Sequence, residues 1–265
     1  MLLDSQLILE LALLGLAVGF VAGLLGIGGA MLMVPAMSII LDSRGYPPQY
    51  TAKMAVATSL ATICFTSLSS LRAHQQRKAV LWPVVRMLAP GIIVGSLVGA
   101  HLAVALPGKV LGIAFAFFVA FSATQMLLDL KPKSVRTLPG PAGTFGMGSL
   151  IGVVSALVGA GGAFISVPFM TWCNVKIHDA VGTSAALGFP IAVAGTAGYV
   201  WAGRDLPALP GGLGYLYLPG LVIISIASMA MAPLGARTAH RMSPRPLRRS
   251  FAVVLYFLAA YLLLR

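Results

Sequence analysis

Four stretches of this chain, residues 110–128, 180–203, 206–236 and 251–264, contain no Asp, Glu, Lys or Arg. Uncharged apolar stretches on this scale suit a hydrocarbon core of ~30 Å, which about 20 helical residues cross. Only 9% of the 265 residues are charged, against roughly 25% in a soluble domain, too few to cover the surface of a water-soluble globule. The mean hydropathy of +0.94 agrees. The expected fold class is an all-α polytopic membrane protein.

The few charges are unbalanced, 18 Lys and Arg against 6 Asp and Glu. In a soluble chain this surplus points to nucleic acid. In a membrane protein it reports topology, because cytoplasmic loops collect Lys and Arg, and no nucleic-acid partner is expected. Cys64 and Cys173 lie in or beside apolar segments with unlike neighbours and read as small buried residues, without a disulfide or metal. The amino-terminal segment carries Asp4 and Glu10 where a signal peptide carries positive charge, so it reads as a first membrane helix that is retained.

Self-similarity divides the chain. GLAVGFVAGLLGIGGAMLMVPAM from Gly15 recurs as GSLIGVVSALVGAGGAFISVPFM from Gly148, matching Pro35 to Pro168. AVATS at 55–59 matches AVGTS at 180–184, and GAHLAVALPGKVL matches GARTAHRMSPRPL. Residues 1–130 and 143–265 are thus expected to be two transmembrane repeats of one integral membrane domain, joined by a cytoplasmic linker at 131–142. Each repeat reads as a helix, a glycine-rich break, a short helix and three spans. In the first these are 7–25, 26–29, 30–41, 52–71, 81–105 and 110–129; in the second, 143–158, 159–162, 163–172, 180–202, 213–236 and 247–264. The total is about eight membrane helices plus two short half-helices.

A short helix rising ~18 Å is too short for a comfortable perpendicular span, so it either runs on across the membrane or turns back. Positive charge separates the cases. If the breaks turn the chain back, Arg72, Arg77, Lys78, Arg86, Lys131, Lys133, Arg136, Lys176, Arg237, Arg241, Arg245, Arg248 and Arg249 share one face. Arg44, Lys53, Lys109, Arg204 and Arg265 are left on the other, thirteen against five. With straight spans the bias nearly vanishes. Turned-back hairpins make each repeat cross an odd net number of times, so the repeats are inverted, an architecture of secondary transporters whose substrate site lies at the repeat interface. Both termini are then expected outside the cell membrane and the linker inside.

The doubled motif, GLLGIGGAMLMVP and ALVGAGGAFISVP, each followed by an A-V-[AG]-T-S helix start and a later L-rich span, resembles the TauE/SafE sulfite exporter family of membrane permeases over nearly the whole chain. The resemblance implies a permease for small sulfur-containing anions such as sulfite and organosulfonates.

The residues suggest how such an anion is held. Gly26, Gly28 and Gly29, with Gly159, Gly161 and Gly162, permit a chain reversal whose unpaired amides are tolerable only when buried in protein or facing a watery cavity. Helices beginning at Ala30 and Ala163, ahead of Pro35 and Pro168, would aim free N–H groups and a positive dipole end at that cavity. Thr58, Ser59, Thr183 and Ser184 offer uncharged hydroxyl donors near two further helix starts. These fourteen residues are the expected substrate-binding set. The competing reading is that the glycines serve helix packing and the hydroxyls bond their own backbone.

Asp4, Glu10, Asp42, Asp129, Asp179 and Asp205 fall at segment ends, leaving no mid-membrane carboxylate for a proton or sodium relay. Lys53 and Lys176 read as interfacial lysines that snorkel, or as attractors of anions at the two faces. His74, His178 and His240 belong to loops; His101 alone is placed to be partly buried and reads as structural. Trp82, Trp172 and Trp201 suit an interfacial belt. The expected partners are a small anion and the lipid bilayer, with a homodimer compatible; no cofactor, metal or catalytic residue is expected. Two other classes compete with a permease. An intramembrane enzyme lacks paired acids, HExxH or a Ser-His arrangement, and an assembly or sensor subunit would want a soluble domain that the short loops do not supply.

Overall fold

The computed structural model describes residues 4–25, 29–128, 137–207, 209–239 and 244–264. They form ten helices: α1 (Ser5–Leu25), α2 (Ala30–Ser43), α3 (Pro48–Gln76), α4 (Trp82–Ala105), α5 (Gly108–Leu128), α6 (Pro141–Val158), α7 (Ala163–Trp172), α8 (Ile177–Ala202), α9 (Leu218–Ala239) and α10 (Pro244–Leu264). Seven are long and apolar enough to cross a membrane. The eighth long helix, α10, opens with Arg245, Arg248 and Arg249, and its apolar part is confined to Ala252–Leu263. Phe117, Phe121, Ile226 and Phe257 are exposed on the outside of the helices, as suits a surface in a bilayer, where every backbone polar group must be satisfied within the helix or by its neighbours.

Proline sets several helix starts beyond the limits read from hydropathy. Pro48 and Pro141 occupy the first turns of α3 and α6, where a missing N–H costs nothing and the fixed φ suits a helix. Helix α6 therefore begins inside the segment expected to be linker. The span expected from 213 also needs correction. Residues 212–217 form a two-stranded antiparallel turn, β1 (Gly212–Leu213) and β2 (Leu216–Tyr217), because Gly211 and Gly214 adopt positive φ, and α9 starts only at Leu218 with Pro219 behind it. Hydropathy alone reads that apolar run as helix.

Both short helices turn back. At the far end of α2, Arg44 forks across to the start of α1, with one guanidinium nitrogen 3.3 Å from Asp4 and the other 3.1 Å from Glu10. At its near end Gly29 lies against Val18. Helix α2 thus runs antiparallel to α1 and begins roughly 20 Å along it. Helix α7 repeats this: Gly162 packs against Ile151 and Ser155 of α6, while Phe169, Trp172 and Cys173 line a cavity with Pro139 and Gly143 at the other end of α6. Pro35 and Pro168 occupy the sixth position of their respective helices.

The inversion is visible in the central pair. Helices α3 and α8, which carry the matched AVATS and AVGTS segments, are the most deeply buried spans. Leu60 of α3 meets Gly195 of α8 and Ser67 meets Gly188, so the two run antiparallel. Around them the outer helices exchange partners: α1 lies along α9 through Gly15 and Gly19, and α6 lies along α4 through Gly148 and Gly152, both pairs parallel. On α4, Gly91, Gly95 and Gly99 face Phe145, Ser149 and Val153 of α6 backbone to backbone, the close approach that small residues allow in membranes.

Seven of the basic residues sort as the turn-back arrangement requires. Tyr46 donates to the Pro210 carbonyl, Lys53 to Val104, and Gly108 lies beside Gln49, which gathers Arg44, Lys53, Lys109 and Arg204 at one end. Burial pushes the Tyr46 phenol up to about 12, so it remains a donor. At the other end the α3–α4 turn, with Arg77 and Lys78, sits on the start of α8 beside Lys176, through Ala79 against Gly182. Of the other residues sorted by charge, Lys131, Lys133, Arg136, Arg241 and Arg265 lie outside the described residues.

The hydrogen bond from Arg44 holds the Asp4 carboxyl below the usual carboxylate range. A depressed carboxylate contributes stability above its unfolded pKa of about 3.9 and loses it as pH falls through the folded value. Arg44→Ala is therefore expected to lower the thermal midpoint in detergent modestly at pH 6, since exposed pairs are weak. The gap between variant and parent is expected to close below about pH 4. An equal gap at pH 3 would show that Arg44 acts through packing instead.

Candidate functional site

The second glycine break lies at the centre of the bundle. Helix α6 ends at Gly159 in left-handed backbone (φ 67°), and Gly162, φ 76°, stands as N-cap of α7. Side chains with a Cβ rarely adopt this region, so glycine at these two positions makes the reversal possible. Val34 of α2 and Val56 of α3 pack on Gly159, Ile191 of α8 on Gly162, and the Gly161 carbonyl faces Gly188. Parts of both repeats therefore enclose the break.

Helix α7 has no side-chain cap. The Ile165 and Ser166 amides bond the Gly162 carbonyl and the Ala160 amide bonds Ser155. The amides of Gly161, Gly162, Ala163 and Phe164 have no acceptor among the described residues. Such unpaired N–H groups and the positive end of the helix dipole favour an anion. Helix α2 begins similarly at Gly29 and Ala30, also without a side-chain cap. Gly26 and Gly28 of that break lie outside the described residues.

The four hydroxyl residues divide into two kinds. Thr58 Oγ1 accepts the amide of Tyr217, 3.1 Å, immediately ahead of α9, and Thr183 Oγ1 accepts the amide of Leu81, 3.0 Å, immediately ahead of α4. Each threonine thus satisfies the start of a helix in the other repeat, and Thr58 also donates to Met54. These bonds commit the threonines to helix entry. The serines sit at the break: Ser59 donates to the Gly159 carbonyl at 2.9 Å, joining α3 to the second break, and Ser184 lies 2.7 Å from Ser166 of α7. All four are buried.

Replacing Thr183 by Val keeps the shape and strands the Leu81 amide. An unsatisfied buried donor costs about 1–3 kcal/mol, so Thr183→Val is expected to lower unfolding stability by that order while leaving the serine pair intact. Denaturant unfolding in detergent checks this. A variant as stable as the parent would free the threonine for a ligand role.

Other expected positions resolve in different ways. Lys53 is buried, its ammonium 2.7 Å from the Val104 carbonyl near the end of α4 and 5.9 Å from the Tyr215 ring, where a cation suits the negative end of the dipole. Lys176 is exposed at the start of α8. His101 is exposed, not partly buried; its Nδ1 lies 2.9 Å from the Leu97 carbonyl, because the inner face of α4 is given over to glycine contacts with α6. Sequence reasoning missed Ser155 and Ser166. Ser155 stands where the first repeat has Ala22, and Ser166 where it has Met33, so the signal was a hydroxyl in one copy opposite an apolar residue in the other.

The sulfite exporter TauE/SafE family profile matches residues 11–262. A probable membrane transporter protein of Haemophilus influenzae is 32% identical over 260 residues, covering 97% of this chain and 98% of its own. The probable membrane transporter protein YdhB of Bacillus subtilis is 29% identical, covering 97% and 99%, and one from Methanocaldococcus jannaschii is 26% identical, covering 99% and 98%. No solved structure gives a significant match.

Proposed function

Since the chain belongs to the sulfite exporter TauE/SafE family and is a multi-pass membrane transporter, we propose that it is a secondary permease for a small anion, a sulfur oxyanion or organosulfonate. The observation that carries this reading is the interior start of α7, where four consecutive amides have no acceptor among the described residues and no charged side chain of α6 or α7 competes for them. Neutral donors replace part of an anion's hydration shell and still release it, which transport requires.

In this reading residues 1–130 and 143–265 are the two repeats, joined through the cytoplasmic linker 131–142. Alternating access comes from their rocking about a site formed by Gly26, Gly28, Gly29, Ala30, Pro35, Ser59, Gly159, Gly161, Gly162, Ala163, Pro168 and Ser184. Thr58 and Thr183 act beside it by fixing α9 and α4. The cluster of basic residues at the Arg77 end supports a cytoplasmic position for that end and external termini, in the cell membrane. The chain acts with the bilayer, as a monomer or a homodimer. No carboxylate on α3 or α8 lies at mid-membrane, which favours uniport, anion exchange or entry of a proton on the substrate over a carboxylate relay.

Purified protein in proteoliposomes is expected to move labelled sulfite and simple sulfonates above the rate of empty vesicles. Folded protein that moves no small anion would overturn the reading.

A further inference from the structure

The two breaks are not chemically equal, and the difference bears on what the site accepts. At the second, Ser155 is 1% exposed and its Oγ has no hydrogen-bond partner among the described residues. This hydroxyl lies 3.1 Å from where a Cβ on Gly162 would stand, so it is aimed at the N-cap of α7, next to the unpaired amides of residues 161–164. A buried hydroxyl left without a partner is costly, and beside four amides in the same state it completes a cluster of donors lacking an acceptor. One turn along α7, the Ser166–Ser184 pair uses one of its two O–H groups between the two oxygens. The first break has Ala22 in place of Ser155 and Met33 in place of Ser166, with Met31, Met33 and Val34 buried after it. The positions matched to Ser155 and Ser166 are therefore apolar in the first repeat and hydroxylic in the second.

The donors at the second break are all neutral. Helices α6 and α7 carry no charged residue; on α3 the charges are Lys53, held on the Val104 carbonyl, and Arg72 at the far end, with His74; on α8 they are Asp179 in the first turn, with His178; on α2, Asp42 near its end. Stripping water from an ion costs free energy in proportion to the square of its charge, roughly four times as much for a dianion as for a monoanion of equal size. Hydrogen bonds from neutral donors return stabilisation only in proportion to the charge. With no Lys or Arg to make up the difference, the balance favours single charge.

Building on the permease reading, we infer that the second break supplies the oxyanion-binding donors of that site and that it selects singly charged oxyanions. Hydrogen sulfite and monosulfonates fit it; sulfate and fully ionised sulfite do not. Ser155 donates directly to the bound oxygen.

The test uses the full-length protein in proteoliposomes with methanesulfonate, sulfite and sulfate as probes. Methanesulfonate flux is expected to exceed sulfate flux at least tenfold. Flux at fixed total sulfite should fall as pH rises through the second ionisation of sulfite, while methanesulfonate flux does not fall. Ser155→Ala is expected to lower methanesulfonate flux about tenfold without lowering the thermal midpoint, because it removes a hydroxyl that has no partner among the described residues. Ala22→Ser is expected to keep the parental rate. Sulfate moving as fast as methanesulfonate, sulfite flux rising with the dianion, or Ser155→Ala at parental flux would overturn the inference while leaving the permease standing. Absence of flux for every anion would overturn both.

Discussion

Gly95→Val is expected to prevent stable assembly of the bundle. The glycine sits where α4 and α6 run side by side, and any Cβ at this position overlaps the Ser149 carbonyl and its neighbouring backbone atoms. A side chain in the way can rotate, but backbone cannot, so the two helices must separate along the contact that also includes Gly91, Gly99, Gly148 and Gly152. Overpacking in cores costs roughly 1–3 kcal/mol when side chains absorb it; here the expected loss is at the top of that range or beyond it. Gly112→Val is the control, since nothing lies within 4 Å of a Cβ there. Monodispersity in detergent and the thermal midpoint report the outcome: loss for position 95 and parental behaviour for position 112. A stable Gly95→Val protein would mean that the α4–α6 contact can part far enough to admit a side chain.

The partner in that contact is not specified by the sequence of α4. The turn-back hairpins were legible because positive charge obeys a rule about faces, and Arg44 reaching Asp4 and Glu10 realises the same arrangement in space. The inversion followed from the hairpins, and the antiparallel α3 and α8 express it. Partner exchange was not legible. Glycines spaced by four, such as Gly91, Gly95 and Gly99, announce that a helix face is approached closely, but they do not say by which helix, and α4 chooses α6 of the other repeat. The turn at residues 212–217 was hidden for a related reason: hydropathy is blind to backbone conformation, and only the positive φ at Gly211 and Gly214 distinguishes that run from helix. The hydroxyl residues carried two meanings at once. Thr58 and Ser59 are adjacent in sequence, yet neighbouring positions on a helix face in different directions, so one bonds the entry to α9 and the other the second break.

Gly161 separates packing from function most sharply. Its φ lies outside the left-handed region, and a Cβ there would touch only Ile63, at 3.7 Å, an ordinary van der Waals distance. Gly161→Ala is therefore expected to fold and insert with a thermal midpoint within a few degrees of the parent, because burying a methyl without overlap costs little. The added methyl nevertheless stands at the first of the four unpaired amides, where an oxyanion must come within about 3 Å of the donors. Anion flux is expected to fall at least tenfold for Gly161→Ala and to vanish for Gly161→Val, whereas Gly146→Val, with open space around its Cβ position, keeps most of it. Gly162→Ala gives the opposite pattern of causes. Its positive φ and its overlap with Ile191 destabilise the break itself, so flux and folding are lost together. If Gly161→Ala transports at the parental rate in a folded state, the second break is a packing device, and the anion passes elsewhere.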